Sequence, residues 1–219
     1  MKRRTLDILF SAGGVLLAGL FLVLGMVMTS NANFSKKYVH DQLLEQKITF
    51  KTADTLTPEE AKAPCLVKYA GQALSSGKQA ECYANSFIGL HVTTVAAHGE
   101  TYSQLGDVQT AMKAQIAAAT KAGDTAKATD LNSQLTTINA QRETLFKGET
   151  LRGLLLTSYG FSVLGFKGAQ AAIVAYIGAA LLALLSLAGF VHAFVTPKHV
   201  PFAAVEPVGP KASDQVVTA

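Results

Sequence analysis

From Gly168 to Val195 the chain carries no Asp, Glu, Lys or Arg and is built mostly from Ala, Leu, Ile, Val, Phe and Gly. A run of that kind crosses a bilayer as a helix, which takes about 20 apolar residues. Any fold open to this chain must therefore place one lipid-soluble rod near its C-terminal end, over 168–195. Just before it, Leu154 to Phe166 is apolar but too short to span alone, and Gly153, Gly160, Gly165 and Gly168 punctuate it. Residues 151–167 read as an interfacial elbow, with Tyr159 at headgroup depth and Lys167 snorkelling to the surface.

A second apolar run, Ile8 to Thr29, follows Lys2, Arg3 and Arg4. The basic flank keeps residues 1–7 in the cytoplasm and sends the span over 8–30 outward. The rival reading is a cleaved signal peptide, because Ser30-Asn31-Ala32 loosely resembles a small-x-small cleavage site. An apolar core of roughly 20 residues exceeds the 7–15 of such a peptide, so a retained anchor is expected. Two spans then place residues 31–150 outside and return 196–219 to the cytoplasm, with Lys198 on the inner flank. The expected location is the plasma membrane, multi-pass, with both termini cytoplasmic and the bilayer as first partner.

Charged residues make up only 16% of the chain, and the formal charge is +4. The stretch 31–168 holds 14 Lys and Arg against 12 Asp and Glu, so the excess does not lie on the folded middle. A nucleic-acid binder would concentrate it there, and nucleic acid is excluded as a partner. The Pro- and Gly-bearing tail has no periodicity and reads as disordered.

The outer part reads as mainly helical. Phe34, Tyr38, Val39, Leu43 and Leu44 continue a helix beyond the first span, and the alternating Ile48 to Thr52 suggests a short strand. Thr57-Pro58-Glu59-Glu60 is a helix start, with Thr as cap, Pro at the first position and Glu three residues after the cap; Pro64 ends or bends that helix. Tyr83, Phe87, Leu90 and Val95 form a stripe broken by His98-Gly99. Leu105, Val108, Met112, Ile116 and Ala119 form another, with Gly106 as a candidate interruption. Ala122-Gly123-Asp124 then stops one helix and caps the next, and Leu131, Leu135, Ile138 and Leu145 follow at coiled-coil-like spacing. The two arms predict an antiparallel helical hairpin whose exposed faces of Ala, Thr, Gln and Asn suit either solvent or another copy.

Cys65 and Cys82 are the two cysteines. Placed outside, they are expected to pair as a structural disulfide; a redox pair or metal site would want closer spacing or added ligands. Ala171, Ala175, Ala179 and Ala183 recur every four residues along the second span, a helix-packing strip of the kind that lets membrane helices approach closely. It fits a homo-oligomer seam or the packing of the two spans within one chain. His91, His98 and Glu100 are the best candidates for chemistry, but their spacing matches no zinc motif, and His40 and His192 stand alone. No nucleophile elbow, Walker loop or dinucleotide fingerprint is present. No catalytic residue, cofactor or metal site is expected.

The basic start, the cysteine pair and above all Phe146 to Tyr159 (FKGETLRGLLLTSY) resemble a group of uncharacterised small membrane proteins from actinobacteria. The resemblance implies two spans and a helical outer domain. Some such proteins carry a ring-cleaving dioxygenase label, but a non-haem iron site needs two His and a carboxylate converging on open positions, a set these residues do not supply. The expected function is a non-enzymatic envelope or accessory protein that assembles with itself or with a membrane complex. The alternative is a membrane sensor with an extracytoplasmic ligand-binding domain.

Overall fold

The computed structural model describes residues 3–96 and 98–197. The expected disorder of the tail falls on 198–219, outside the described residues, as do Lys2 and Lys198 of the flanks. The described chain forms α1 (Arg3–Glu45), a 3-10 turn (Ala53–Thr55), α2 (Pro58–Ala61), α3 (Pro64–Tyr69), α4 (Gly77–Cys82), a π-helical turn (Tyr83–Ile88), α5 (Gly89–Thr93), α6 (Tyr102–Lys121) and α7 (Thr125–Val195). It contains no strand among the described residues. Ile48 to Thr52 makes one antiparallel bridge instead, Thr49 to Ala73, because its partner segment turns away at both ends: Gly71 has a positive φ and Ser76 caps α4.

The chain divides into two compact units, one from residues up to Met28 and from Ala171 onward, the other Thr29–Gln170. The first is built from parts of α1 and α7, each long and apolar enough to cross a membrane. Its buried positions are small. Ser11, Ala18 and Gly25 on α1 and Ala172, Ala179, Ser186 and Ala193 on α7 follow a seven-residue repeat, which keeps one seam turned toward a partner helix. A Cβ on Gly14 would collide with Ser186, and one on Gly189 with Ser11. Backbones come this close only where side chains are this small.

The second unit buries large apolar side chains. Leu66, Leu74, Leu105 and Leu145 are all but fully buried. One core gathers Val39, Leu43, Phe50, Leu66, Leu74 and Leu155 around the disulfide, and a smaller one joins Ala96, Leu105 and Leu145 in the hairpin. Cys65 and Cys82 are bonded, with Cα atoms 5.9 Å apart. Their closed loop contributes about 3 kcal/mol in the chain-entropy view.

Three expectations need correction. Residues 151–167 form no elbow, since α7 runs through them without a break. Each glycine costs a helix only about 1 kcal/mol relative to Ala. Leu151, Leu155 and Leu156 pack on the core, and Gly165 sits where a Cβ would press on the Ser35 side chain at 2.8 Å. Pro64 does not end α2 either; it opens α3 as its first residue, where the missing N–H costs nothing. Gly106 likewise leaves α6 intact: its missing side chain makes room for the Arg142 guanidinium, which stacks 4.2 Å over Tyr102.

The hairpin turn is made by Gly123, with φ of 75°. Asp124 N–H donates to Ala119 O at 3.0 Å, closing the end of α6, and the Asp124 carboxylate accepts from Lys127 N–H at 3.0 Å, opening α7. Gln109 Nε2 donates to Asn139 Oδ1 at 2.6 Å across the arms.

Candidate functional site

The most enclosed polar group of the second unit is Glu60, 1% exposed. The capping box puts it there. Thr57 Oγ1 accepts from Glu60 N–H at 3.2 Å, while Thr57 N–H donates to Glu60 Oε2 at 2.8 Å, folding the carboxylate back over the start of α2. Lys51 Nζ then reaches both carboxylate oxygens, at 2.8 and 3.0 Å. The Lys51 hydrogen bond, with the Thr57 N–H behind it, holds the Glu60 carboxyl below the ordinary glutamate range against the opposing effect of burial.

The π-helical turn supplies the other side. Tyr83, Phe87 and His91 stack in succession with ring centroids 4.7 and 4.5 Å apart, and Phe50 meets Tyr83 edge-on at 5.3 Å. The Gly89 N–H bonds back to Ala84 O, the wide spacing that marks a π turn; such turns recur at functional sites. Burial, and then the Glu60 charge, push the Tyr83 phenol above its usual range. His91 Nδ1 lies 2.7 Å from Phe87 O and donates to it, because a carbonyl only accepts. That leaves Nε2 facing Glu60 Oε1 at 3.4 Å, a contact that attracts only when Nε2 also bears a proton. Ser86 Oγ sits 3.4 Å from Cys65 Sγ and donates to it, since a disulfide sulfur has no hydrogen.

This arrangement is a polar clamp. Its one carboxylate is bound by an ammonium and a backbone N–H, and it holds α2 against the π turn beside the disulfide. The structure separates the three residues singled out for chemistry. His91 goes to Glu60, whereas His98 N–H donates to Glu100 Oε2 at 3.0 Å in an exposed turn of their own. Among the described residues no three His, Cys, Asp or Glu side chains gather as a metal-binding set. The sequence marks Glu60 as a capping residue, but not its burial or its pairing with Lys51, which depends on where the chain returns.

The isolated histidines also find neighbours. His40 Nδ1 donates to Ser75 O at 3.0 Å, and His192 Nε2 stands 3.9 Å from Asp7 Oδ2 in the first unit. Of the strip residues, Ala175 and Ala179 are buried, while Ala171 and Ala183 are exposed. The buried pair is used in packing within the chain.

No family model matches the chain, and no curated protein or solved structure matches it significantly.

Proposed function

We propose that this chain is a two-span membrane protein of the plasma membrane whose Thr29–Gln170 unit lies outside the cytoplasm, and that it works there as a non-enzymatic structural or accessory component, assembling with itself or with a membrane complex. The observation that carries the reading is exposed apolar surface. In the first unit Phe10, Leu16, Leu185 and Phe194 are at least 70% exposed, a surface that lipid tolerates and water does not. In the second unit Phe34, Leu154 and Leu164 are each more than 60% exposed. Apolar side chains left open in numbers mark a surface that another molecule covers.

The orientation rests on Arg3 and Arg4 beside the first span, which favour the cytoplasm, and on the Cys65–Cys82 disulfide, a bond that persists in oxidising compartments. The clamp at Glu60 supports a non-catalytic role, because its groups are spent on one another.

Ala126 is exposed in the first turn of α7, and Ala126→Cys introduces one reactive thiol, since both native cysteines are bonded. A membrane-impermeant maleimide applied to intact cells is expected to label it. Labelling only after lysis would place the hairpin inside and end the reading. Gentle solubilisation followed by mass measurement of the intact particle tests the assembly: a particle heavier than one chain is expected, and a bare monomer without partners would remove the accessory role.

A further inference from the structure

Within the second unit a groove of about 720 Å³ opens between residues 32–40 of α1, residues 162–169 of α7 and the connector at 75–77. Its two sides differ in chemistry. Lys36, Lys37 and His40 line one part, and Phe166 and Ala169 line another. Lys36 is exposed and makes no ion pair among the described residues. Lys37 holds Asp41 at 2.6 Å, but that pair is exposed, 78% and 44%, and such pairs contribute roughly 0–1 kcal/mol, so Lys37 can turn to a better acceptor. His40 Nδ1 donates to Ser75 O and ties this stretch of α1 to the connector. No Asp or Glu lines the groove among the described residues.

Two lysines with no carboxylate among the lining residues select an anion, and phosphate above all. An adjoining apolar wall selects a ligand that also carries a hydrocarbon chain. The groove stands, by sequence, where the first apolar run has ended and the second begins: Ala32 shortly follows Ile8–Thr29, and Ala169 belongs to Gly168–Val195. We propose that this groove binds an anionic phospholipid of the outer leaflet, its phosphate held by Lys36 and Lys37 and the start of one acyl chain lying along Phe166 and Ala169. The proposal rests on the membrane reading above. The protein would then hold its outer unit to a particular lipid as well as to a membrane, and anionic lipid content would govern where it accumulates.

The test uses the full chain in non-ionic detergent, with native mass spectrometry after addition of equal amounts of phosphatidylglycerol and phosphatidylcholine bearing the same acyl chains. The wild type is expected to retain phosphatidylglycerol at least about 10-fold over phosphatidylcholine, equivalent to 1.4 kcal/mol. Lys36→Gln/Lys37→Gln should bring the two lipids near parity. Lys113→Gln/Lys127→Gln, which removes the same charge from exposed positions on the hairpin, should keep the preference. Circular dichroism checks that both variants stay helical. Equal retention of the two lipids by the wild type overturns the proposal, as does an equal loss in the hairpin variant, which would reduce the effect to net charge. Glycerol phosphate that displaces the lipid at matched concentration would make the groove a simple anion site and also overturn it. Alkaline carbonate extraction separates the two levels: release of the protein from membranes defeats the span reading itself, whereas retention without lipid preference defeats this proposal alone.

Discussion

The two units differ in the size of the side chains they bury. In the first, the buried seam is Ser11, Ala18, Gly25, Ala172, Ala175, Ala179, Ser186 and Ala193. In the second, the largest fully buried side chains are Leu66, Leu74, Leu105, Leu145 and Glu60, beside small ones such as Ala80 and Ala84. On the proposed membrane reading, the difference follows from the solvent each is built for. In water, removing a Leu side chain from solvent contributes roughly 1.5–3 kcal/mol, so a core gathers large side chains. Between lipid-facing helices that gain vanishes, because a lipid tail is as apolar as Leu. What remains is close backbone approach and van der Waals contact, which favours Gly, Ala and Ser. The Leu, Phe and Val side chains of the first unit accordingly stand outward: Leu16, Leu185 and Val195 are 76%, 70% and 77% exposed.

The comparison breaks most easily in the second unit. Cys65→Ser/Cys82→Ser should cost about 3 kcal/mol, the loop-closure contribution, and Leu66→Ala a similar amount, within roughly 2–5 kcal/mol for a buried Leu. Urea titration in detergent, followed by hydrogen exchange, checks both. Amides within Thr29–Gln170 should lose protection, while those of 11–25 and 175–193 keep theirs. Equal loss in both units would show that the units do not unfold separately.

A smaller effect of opposite chemistry is expected in the first unit, where adding volume, not removing it, destabilises. Gly14→Leu or Gly189→Leu would force a side chain into Ser186 or Ser11, at a cost of about 1–3 kcal/mol for overpacking. Disulfide crosslinking of cysteines placed along the seam should fall in either variant, while the far-UV spectrum holds. An unchanged crosslinking rate would mean that the helices do not meet along this line.

Much of this is legible in the chain. The expected compartment and the even count point to the cysteine pair, and Gly123-Asp124 between two apolar stripes points to the hairpin turn. Other features are hidden for identifiable reasons. A four-residue step overshoots one helical turn by about 40°, so Ala171, Ala175, Ala179 and Ala183 drift around the rod, and only the middle two stay buried. The true repeat runs Ala172, Ala179, Ser186, Ala193, and in a helix so rich in small residues several periods coexist. The four glycines of 153–168 suggest a bend because local propensity carries no trace of the packing of Leu151, Leu155 and Leu156 that overrides it. The π turn matches no motif in the chain, and the Lys51–Glu60 pair, nine residues apart in sequence, depends on how the chain between them turns back.

The clamp offers a pH test of the second unit. The folded Glu60 carboxyl titrates below its unfolded value, chiefly through the Lys51 hydrogen bond. The stabilisation is therefore complete above the unfolded glutamate value, about 4.3, and is lost as pH falls through the depressed folded one. Glu60→Gln should cost on the order of 1 kcal/mol at neutral pH, and its stability difference from the wild type should shrink as pH drops through that window. Lys51, Tyr83 and His91 all face Glu60, so the pair is best compared again in a His91→Asn background, which removes the imidazole. A difference that stays constant down to acid pH would mean that the Lys51 contact does not exist in solution.

The smallest expected effect sharpens the comparison most, because it asks what a small residue is for. Ala183 and Ala179 share a helix and a residue type, but Ala179 is 5% exposed and Ala183 is open. If small residues serve only close approach, Ala183→Leu should change stability by no more than about 0.5 kcal/mol, since an apolar side chain is added to an outward face. Ala179→Leu should cost roughly 1–3 kcal/mol. Thermal melts of the two variants in one detergent decide it. A large loss at Ala183 would show that a further helix, from another copy or a partner, already occupies that face, and the exposed side of α7 would then be an interface rather than a lipid surface.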